Sequence, residues 1–262
     1  MKDFKNWLIH TDNHITTLQL NRPDKLNSLT PNTLHELRDI SNMLADDTDT
    51  WAVVVEGVGS HFSAGVDVNA IGAMVGQGKD VFATNIRDLQ DCLDTFEALP
   101  KPTIAKIRGH CIGGGMILAL CCDFRYADDS AMFWLPEVRL GIAVIMGTQR
   151  ITRTIGTAAT KELVMMAEKW DSIKAERTGL IHGMTDADNL DALVADHVAK
   201  FQSLPPRTIS IARRIIDEGA SMTLRDSQEL EIALQADLLS DDDFSEGVQA
   251  FFEKRPPKFQ GK

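Results

Sequence analysis

The sequence predicts an α/β fold with a helical C-terminal part, and two observations carry this prediction. Short runs of β-branched and apolar residues alternate with helical patterns in the first half of the chain. After about residue 147, helical patterns follow one another and no strand is predicted. The length of 262 residues, with 44% hydrophobic and 25% charged residues, fits one large globular domain or one domain with an appendage.

The predicted strands lie in the first half of the chain. Apolar and polar residues alternate over 7–11 and 14–20, on either side of Asp12-Asn13, which is typical of a β-hairpin. Further apolar, β-branched runs predict strands at 51–56, 102–107, 124–127 and 131–134. We expect these strands to form the sheet that positions the functional site.

The predicted helices follow from apolar residues at helical spacing. Thr30 and Pro31 predict an N-cap and the first residue of a helix that runs to Leu44. A second helix is predicted over 82–96, and a third opens at Gly113-Gly114-Gly115 and runs toward Cys122. The six glycines within 57–80 predict a loop-rich stretch. Later helical patterns cover 157–168, 172–179, 188–202, 206–218, 223–240 and 243–253.

Composition excludes several classes of function. The net charge of −11 is incompatible with a broad nucleic-acid face, which needs a basic footprint. The longest nearly apolar run, 112–122, is about half the length of a membrane span. No apolar segment follows Met1, so a secretory signal is not expected and the cytoplasm is the expected location. Buried, reduced thiols are expected at all four cysteines, Cys92, Cys111, Cys121 and Cys122.

Two glycine-bearing turns each follow a predicted strand. The first contains Ala64-Gly65-Val66, and the second contains Gly113-Gly114-Gly115 and opens a helix. Glycine lets the backbone approach a ligand closely, and free N–H groups at a helix start favour an anionic oxygen. Two such N–H groups brought together would form an oxyanion hole. Taken singly, each turn is explained equally well by tight-turn geometry.

The order of several motifs is more specific than any one of them. Pro136-Glu137 places a carboxylate after the apolar run 132–135, at a position that alone would indicate an ordinary surface residue. The motifs occur in the order Ala64-Gly65-x-Asp67, Gly113-Gly114-Gly115, Asp123, Pro136-Glu137, Gly147-Thr148-Gln149-Arg150. With the segments 21–29 and 251–259, this series resembles the crotonase superfamily, the enoyl-CoA hydratase/isomerase family, over nearly the whole chain.

The resemblance implies a fold and an assembly. The fold is a crotonase-like spiral of ββα units with a helical C-terminal part. It implies an acyl-CoA-binding core over 1–195 and a C-terminal trimerisation or lid region over 196–262. A homotrimer or a dimer of trimers is expected. No metal and no redox cofactor are expected, because CoA is part of the thioester substrate.

The resemblance also implies a site. The backbone N–H groups of Val66 and Gly114 correspond to the oxyanion hole that stabilises a thioester enolate, and Glu137 corresponds to a catalytic acid. Residues that correspond to the CoA and acyl groove are Lys25, Leu26, Ala64, Gly65, Asp67, Val68 and Gly113. Lys258 or Lys254 corresponds to a cation for the CoA phosphates, with a neighbouring subunit as one source.

The chain lacks acidic residues at two positions where related enzymes carry them. Hydratases of this family carry a second Glu three residues after the middle glycine, where this chain has Ile117. Dienoyl-CoA isomerases carry an acid about eight residues after the Pro-Glu carboxylate, where this chain has Ile145. No Asp or Glu occurs over 138–160, and the apolar segment 142–146 indicates a reshaped acyl pocket.

One acid with an oxyanion hole favours Δ3-Δ2-enoyl-CoA isomerisation, because moving a double bond needs only one base. Burial beside Trp134, Leu135 and Ile117 is expected to raise the pKa of Glu137. Two alternatives stay open. The first is an enoyl-CoA hydratase or another lyase, hydrolase or decarboxylase of the family. The second belongs to another class, a non-catalytic acyl-CoA-binding protein.

Overall fold

The computed structural model describes residues 4–261 of the chain. Residues 1–3 and Lys262 lie outside the described residues. The segment in which no secretory signal is expected begins in this undescribed part. The described strands are β1 Trp7–Asp12, β2 Ile15–Leu20, β3 Ala52–Gly57, β4 Thr103–Ile107, β5 His110–Ile112, β6 Phe124–Asp128, β7 Met132–Trp134, β8 Lys169–Asp171 and β9 Gly183–Thr185.

The strands form two sheets. The larger sheet has the order β1-β2-β3-β4-β6-β9, and the smaller has the order β5-β7-β8. In the larger sheet only the β1–β2 hairpin is antiparallel; β3, β4, β6 and β9 add in parallel. Carboxyl ends of parallel strands meet at one edge, where α/β proteins hold their ligands. This edge therefore receives the loop that follows β3.

Ten α-helices accompany the sheets in the described part of the chain. They are α1 Pro31–Ala45, α2 Val68–Gly72, α3 Lys79–Glu97, α4 Gly114–Leu120, α5 Thr148–Met165, α6 Ser172–Arg177, α7 Leu190–Gln202, α8 Pro206–Gly219, α9 Leu224–Asp237 and α10 Asp242–Glu253. The predicted N-cap of α1 is present, since the Thr33 N–H donates to Thr30 Oγ1 over 3.2 Å. The mixed α/β architecture and the helical C-terminal part are as the sequence predicts.

Several predicted elements are wrong in position or existence. The prediction that no strand follows residue 147 is wrong, because β8 pairs with β7 and β9 pairs with β6. The short strand β5 was not predicted, and the loop-rich stretch 57–80 contains α2. The helix predicted to begin at 157 begins at Thr148 instead and is broken at Gly156, whose φ is +76°. Strands of three residues carry too little local pattern to predict, and their partners in the sheet define them.

The core lies between the larger sheet, α1, α3 and α4. Its largest fully buried side chains include Trp7, Trp170, Phe62, Phe96 and Phe133. All four cysteines are buried and free, as predicted, and burial raises the pKa of the Cys111 thiol well above its ordinary value. Among the described helices, none has both the length and the apolar character needed to cross a bilayer.

Candidate active site

The loop after β3 brings Val66 to the edge of the sheet. Gly65 has φ +90°, a left-handed conformation that favours glycine. The Leu29 N–H donates to the Gly65 carbonyl over 2.7 Å, and the Asp67 N–H donates to the Leu29 carbonyl over 2.8 Å. In such a parallel bridge the intervening N–H, that of Val66, points to the opposite side.

The start of α4 supplies a second backbone donor. Gly113 has φ +49° and ψ −124°, outside the helical region, and its N–H donates to the Trp134 carbonyl over 2.8 Å. Gly114 is the first helical residue, so its N–H has no carbonyl partner within the helix. The helix dipole adds partial positive charge at this end.

These two donors converge. A Cβ atom placed on Gly114 would lie 3.5 Å from the Val66 nitrogen, and one placed on Gly65 would lie 3.3 Å from the Gly114 nitrogen. Within residues 4–261, neither N–H donates to a protein atom. Two adjacent unpaired amides at a helix start can stabilise an oxygen that carries developing negative charge.

Glu137 places its carboxylate next to this turn. It begins the 3-10 helix Glu137–Leu140, shortly after β7. Its Oε1 lies 3.0 Å from where a Cβ on Gly113 would be, and its Oε2 is buried without a hydrogen-bond partner in the described structure. Burial raises the pKa of Glu137, a direction the sequence predicts, and no neighbouring charge contributes to the shift.

The two positions that lack acids differ in their surroundings. Ile117 is 1% exposed, and its Cδ1 lies 1.8 Å from where a Cβ on Gly147 would be. Only glycine at 147 therefore accommodates the Ile117 side chain in this arrangement. Ile145, by contrast, is 43% exposed, whereas its neighbour Val144 is buried. In the segment 142–146, Val144 is thus buried in the core, and the partly buried Met146 packs against it.

The predicted groove residues come from two segments that meet. The Ala64 N–H donates to the Leu26 carbonyl over 2.9 Å, which joins the segment 21–29 to the loop after β3. Lys25 and Leu26 are exposed beside this junction, and so is Val68 at the start of α2. A ligand that extends away from the two amides could reach these side chains.

Asp67 has protein partners for its carboxylate. It accepts from Arg22 Nη2 over 3.1 Å, from Ser28 Oγ over 3.3 Å and from the Asn69 N–H over 3.0 Å. These hydrogen bonds lower the pKa of Asp67, the Asn69 N–H contributing most. The residue caps α2 and fixes the loop that presents Val66.

Lys258 is not brought to this site within one chain. Its N–H donates to Glu246 on α10 over 2.6 Å, and Glu246 also pairs with Arg255. Lys254, the other predicted cation, ends α10 with φ +55°. Both residues belong to the C-terminal segment rather than to the turns around Gly114.

Arg150 ends the motif Gly147-Thr148-Gln149-Arg150, but the sequence did not predict its structural role. Its Nη1 donates to the Met146 carbonyl over 2.5 Å, and its guanidinium pairs with Asp94 and Glu97 at the end of α3. Met146 has φ +66°, an uncommon conformation for a residue with a side chain. Arg150 thus fastens the segment 142–147 to α3, and only the tertiary contacts reveal it.

A pair of histidines flanks the two turns and was not predicted either. The rings of His61 and His110 stack with their centroids 4.1 Å apart, and the His110 N–H donates to His61 Nδ1 over 3.1 Å. Burial lowers the pKa of His110. The stacked pair packs the two glycine turns side by side.

One group of side chains in the described structure has the composition of a metal site. Ligand atoms of His35, Asp88 and Cys92 lie within 4.8 Å of one another. Asp88 already accepts from His35 Nε2 over 2.6 Å and from Arg38 Nη1 over 3.0 Å. The guanidinium of Arg38 occupies the place where a cation would bind the carboxylate. This group lies between α1 and α3, apart from the two amides.

Comparison with known proteins identifies relatives over the whole chain. A family model described as enoyl-CoA hydratase/isomerase matches residues 10–262. The probable enoyl-CoA hydratase echA8 of Mycobacterium bovis is 30% identical over 257 residues, which cover 98% of each chain. The crotonyl-CoA hydratase of Syntrophomonas wolfei is 29% identical over 265 residues, which cover 99% of each chain.

Solved structures agree with these relatives in fold. An enoyl-CoA hydratase from Bacillus anthracis superposes with a TM-score of 0.91 at 30% identity, covering 98% of this chain and 100% of that one. An enoyl-CoA hydratase from Polaromonas sp. JS666 superposes with a TM-score of 0.90 at 25% identity, covering 97% and 99%.

Proposed function

We propose that this chain, which belongs to the enoyl-CoA hydratase/isomerase family, moves a double bond of an enoyl-CoA thioester from C3 to C2. The observation that carries the proposal is the carboxylate of Glu137, whose Oε2 is buried without a partner, beside two adjacent backbone N–H groups that are unpaired in the described structure. Ile117 occupies the position where hydratases of the family, by resemblance, carry a second acid.

The reaction follows from these groups. The thioester oxygen accepts hydrogen bonds from the N–H groups of Val66 and Gly114. Glu137 removes a proton from C2, and the electron pair of that C–H bond spreads over the thioester as a dienolate that the two amides stabilise. The same carboxyl group then returns the proton to C4, so that the double bond lies between C2 and C3. No atom is gained or lost, and no oxidant or cofactor is needed.

Burial of Glu137 suits this proton shuttle. A buried carboxylate is a stronger base than one in water, because burial disfavours its charged form, and Oε2 of Glu137 has no hydrogen-bond partner in the described structure. A general base works best when its pKa lies near the operating pH. The protonated form is then acidic enough to return the proton to C4.

Hydration of the double bond needs two hydrogen-bonding groups for the attacking water, and this site offers one acid. A water molecule must be held and deprotonated while a proton reaches C2, and two acids share these tasks well. The side chain of Ile117 offers no hydrogen bond, and it lies against Gly147. A water molecule between residues 117 and 137 could form a hydrogen bond with the carboxylate of Glu137, but the apolar side chain of Ile117 would offer it none.

Enoyl-CoA hydration is the second candidate, and one observation favours it. The relatives at about 30% identity over the whole chain carry hydratase names, among them the crotonyl-CoA hydratase of Syntrophomonas wolfei. Other chemistries that start from a thioester enolate would use the same two amides. Pure acyl-CoA binding, without turnover, would use the groove alone.

Further parts of the proposal concern the substrate and the assembly. CoA would lie along Leu26, Ala64 and Val68, with Lys25 near its nucleotide and with Lys258 supplied from a second copy of the chain. In a homotrimer or a dimer of trimers, that second copy would lie next to the CoA groove. The thioester needs no cofactor, and the buried free thiols fit a reducing compartment such as the cytoplasm.

The decisive experiment compares three readouts on the same preparation. Exchange of the C2 proton with deuterium reports enolate formation; conversion of 3-enoyl-CoA to the conjugated 2-enoyl-CoA reports isomerisation; loss of the conjugated absorbance reports hydration. We expect exchange and isomerisation, with hydration far slower. Efficient hydration by the unmodified protein would establish the second candidate instead. Binding without exchange would identify a non-catalytic acyl-CoA-binding protein.

A further inference from the structure

One face of α4 leads away from the oxyanion donors. The N–H of Gly114 lies at the first residue of the helix, and Ile117 and Leu120 follow at intervals of three residues. Residues at this spacing lie on one face of a helix, and six residues advance about 9 Å along its axis. The face therefore runs from Gly114, past Ile117, to Leu120.

Beyond Ile117 this face borders two neighbouring grooves. One, of about 590 Å³, has apolar lining residues, among them Leu120, Val144 and Met146, and polar ones, among them Gln90, Gln149 and Arg153. The second, of about 750 Å³, is also lined by Leu120 and extends between α4 and α8. Leu120 is thus shared by both grooves, so the two adjoin at the end of α4.

Ile117 lies between Gly114 and the first groove. Its side chain is fully buried and fills the space above Gly147, where even a single additional carbon atom would collide with it. Gly147 in turn lines the first groove. The contact between Ile117 and Gly147, called the partition below, therefore lies between the start of α4 and the first groove.

We infer that Ile117 limits the length of the acyl chain, and that the grooves beyond it accept the distal carbons of longer chains once this side chain is made smaller. This inference rests on the proposed function, since it takes the thioester to lie at Gly114. It assigns to Ile117 a role in substrate choice that is separate from the absence of an acid there.

One wall of the second groove fits an alkyl chain. The second groove is lined by apolar side chains that include Phe124, Phe201, Ile209 and Ile216. Two carboxylates that border both grooves, Asp94 and Glu97, are partnered by Arg150. Arg153 also lines both grooves, so the apolar wall covers only part of each. Each methylene that leaves water for such a surface strengthens binding.

The test measures binding of saturated acyl-CoAs, from butyryl-CoA to lauroyl-CoA, by titration calorimetry. Saturated chains bind without reacting, so the readout does not depend on which reaction follows. For Ile117→Ala we expect the Kd of lauroyl-CoA to fall by about tenfold or more, and the Kd of butyryl-CoA to stay within about threefold. Ile117→Val should shift the same ratio less, and it replaces Ile117→Ala should that variant fail to fold.

Two further variants test whether the effect is specific to Ile117. One is a control for loss of stability, and the other should reverse the change in chain-length preference. Leu118 is equally buried but lies on another face of α4, so Leu118→Ala should lower stability and leave the chain-length profile unchanged. Gly147→Ala, added to Ile117→Ala, should refill the partition and restore the preference of the parent protein. At φ −121° the new side chain meets no backbone strain.

The outcomes separate the two proposals. Binding of acyl-CoAs with the same chain-length profile in parent and Ile117→Ala would overturn the inference and leave the proposed function standing. An equal shift in Leu118→Ala would also overturn it, because general loosening would then explain the effect. Failure of every acyl-CoA to bind the parent protein would overturn both.

Discussion

Glu137 is held in an unusual state for an acidic side chain. Its Oε2 is buried without a hydrogen-bond partner, and burial alone raises its pKa. A structural carboxylate in this chain is held differently: Asp67 accepts three hydrogen bonds, which lower its pKa. An unpartnered buried acid costs stability, and such costs are concentrated at functional sites.

Glu137→Gln is the direct test of this residue. The amide has the shape of the carboxyl group but cannot accept the C2 proton, so isomerisation should fall by about 10²–10⁴-fold. Binding of a saturated acyl-CoA should persist, because the two amides and the groove are unchanged. Steady-state rates and calorimetric Kd values of the two proteins supply the comparison. Activity within about threefold of the parent would exclude Glu137 as the base.

The stability of the same variant should depend on pH. The pKa of Glu137 is raised in the folded protein above its ordinary value of 4.5. The parent therefore loses stability as pH rises from about 4.5 through the folded-state pKa, and Gln carries no such charge. We expect the melting temperature of Glu137→Gln to exceed that of the parent at pH 7, with the difference shrinking as the pH falls toward 4. A difference independent of pH would contradict the origin assigned to the shift.

Ile117→Glu tests why the chain is expected not to hydrate its substrate. A carboxylate three residues after Gly114 lies on the same helix face and would give a water a second hydrogen-bonding group. Hydration of crotonyl-CoA, followed as loss of the conjugated absorbance, should rise above the parent level. The gain should be small, because a buried unpaired acid stays largely protonated. Ile117→Gln, matched in size but unable to act as a base, should show no gain.

At the scale of elements, the site depends on how α4 begins. Gly113 and Gly114 let the helix start against the loop after β3, so that the positive end of the α4 dipole lies beside the Val66 amide, where the proposed function places the thioester oxygen. The bridges between Leu29 and Val66 and between Ser63 and Cys111 fix that loop against both neighbouring segments. Backbone hydrogen bonds thus hold the helix start against the loop, and the side chains of Ser63 and Asp67 add hydrogen bonds within the loop.

Gly114→Pro removes one donor of the proposed oxyanion hole. Proline is tolerated in the first turn of a helix, and it lacks the N–H. Loss of one such donor costs about 10²–10³-fold in turnover in other enzymes, and we expect a loss of that size here. Circular dichroism and the mass in solution must match the parent before rates are compared. Normal turnover by a well-folded variant would show that this N–H does not hold the oxyanion. Gly114→Ala, which keeps the N–H, serves as the matched control.

At the scale of the molecule, the C-terminal helices expose much apolar surface. Phe251 and Phe252 are 80% and 77% exposed, and Ile216 and Leu224 are exposed as well. Contiguous exposed apolar surface is typical of subunit interfaces. The predicted division at residue 195 falls within α7, which packs against the larger sheet. The helices after α7 are the region expected to assemble.

Phe251→Asp should disrupt that assembly. A charge in the centre of an apolar interface is costly when buried, so the variant should sediment as a smaller species than the parent. Val75→Asp places the same charge on an exposed residue far along the chain, and it should sediment like the parent. A parent protein that is monomeric at micromolar concentration would contradict the expected trimer.

The sequence alone determined those elements whose signal is local. The hairpin of β1 and β2, the N-cap at Thr30 and the burial of the cysteines follow from neighbours in the chain. The order of motifs also indicated the family, which the whole-chain match confirms. Site residues that belong to turns, such as Gly65 and Gly113, could be named because only glycine adopts their backbone conformation freely.

The tertiary structure decided everything that depends on distant partners. Strands β8 and β9 have three residues each and exist because β7 and β6 offer them hydrogen bonds. The approach of Val66 to Gly114, the lack of a partner for Glu137 and the contact of Ile117 with Gly147 each join segments far apart in the chain. A sequence pattern reports the preference of a segment for helix or strand, whereas only the packed fold sets the distances between segments.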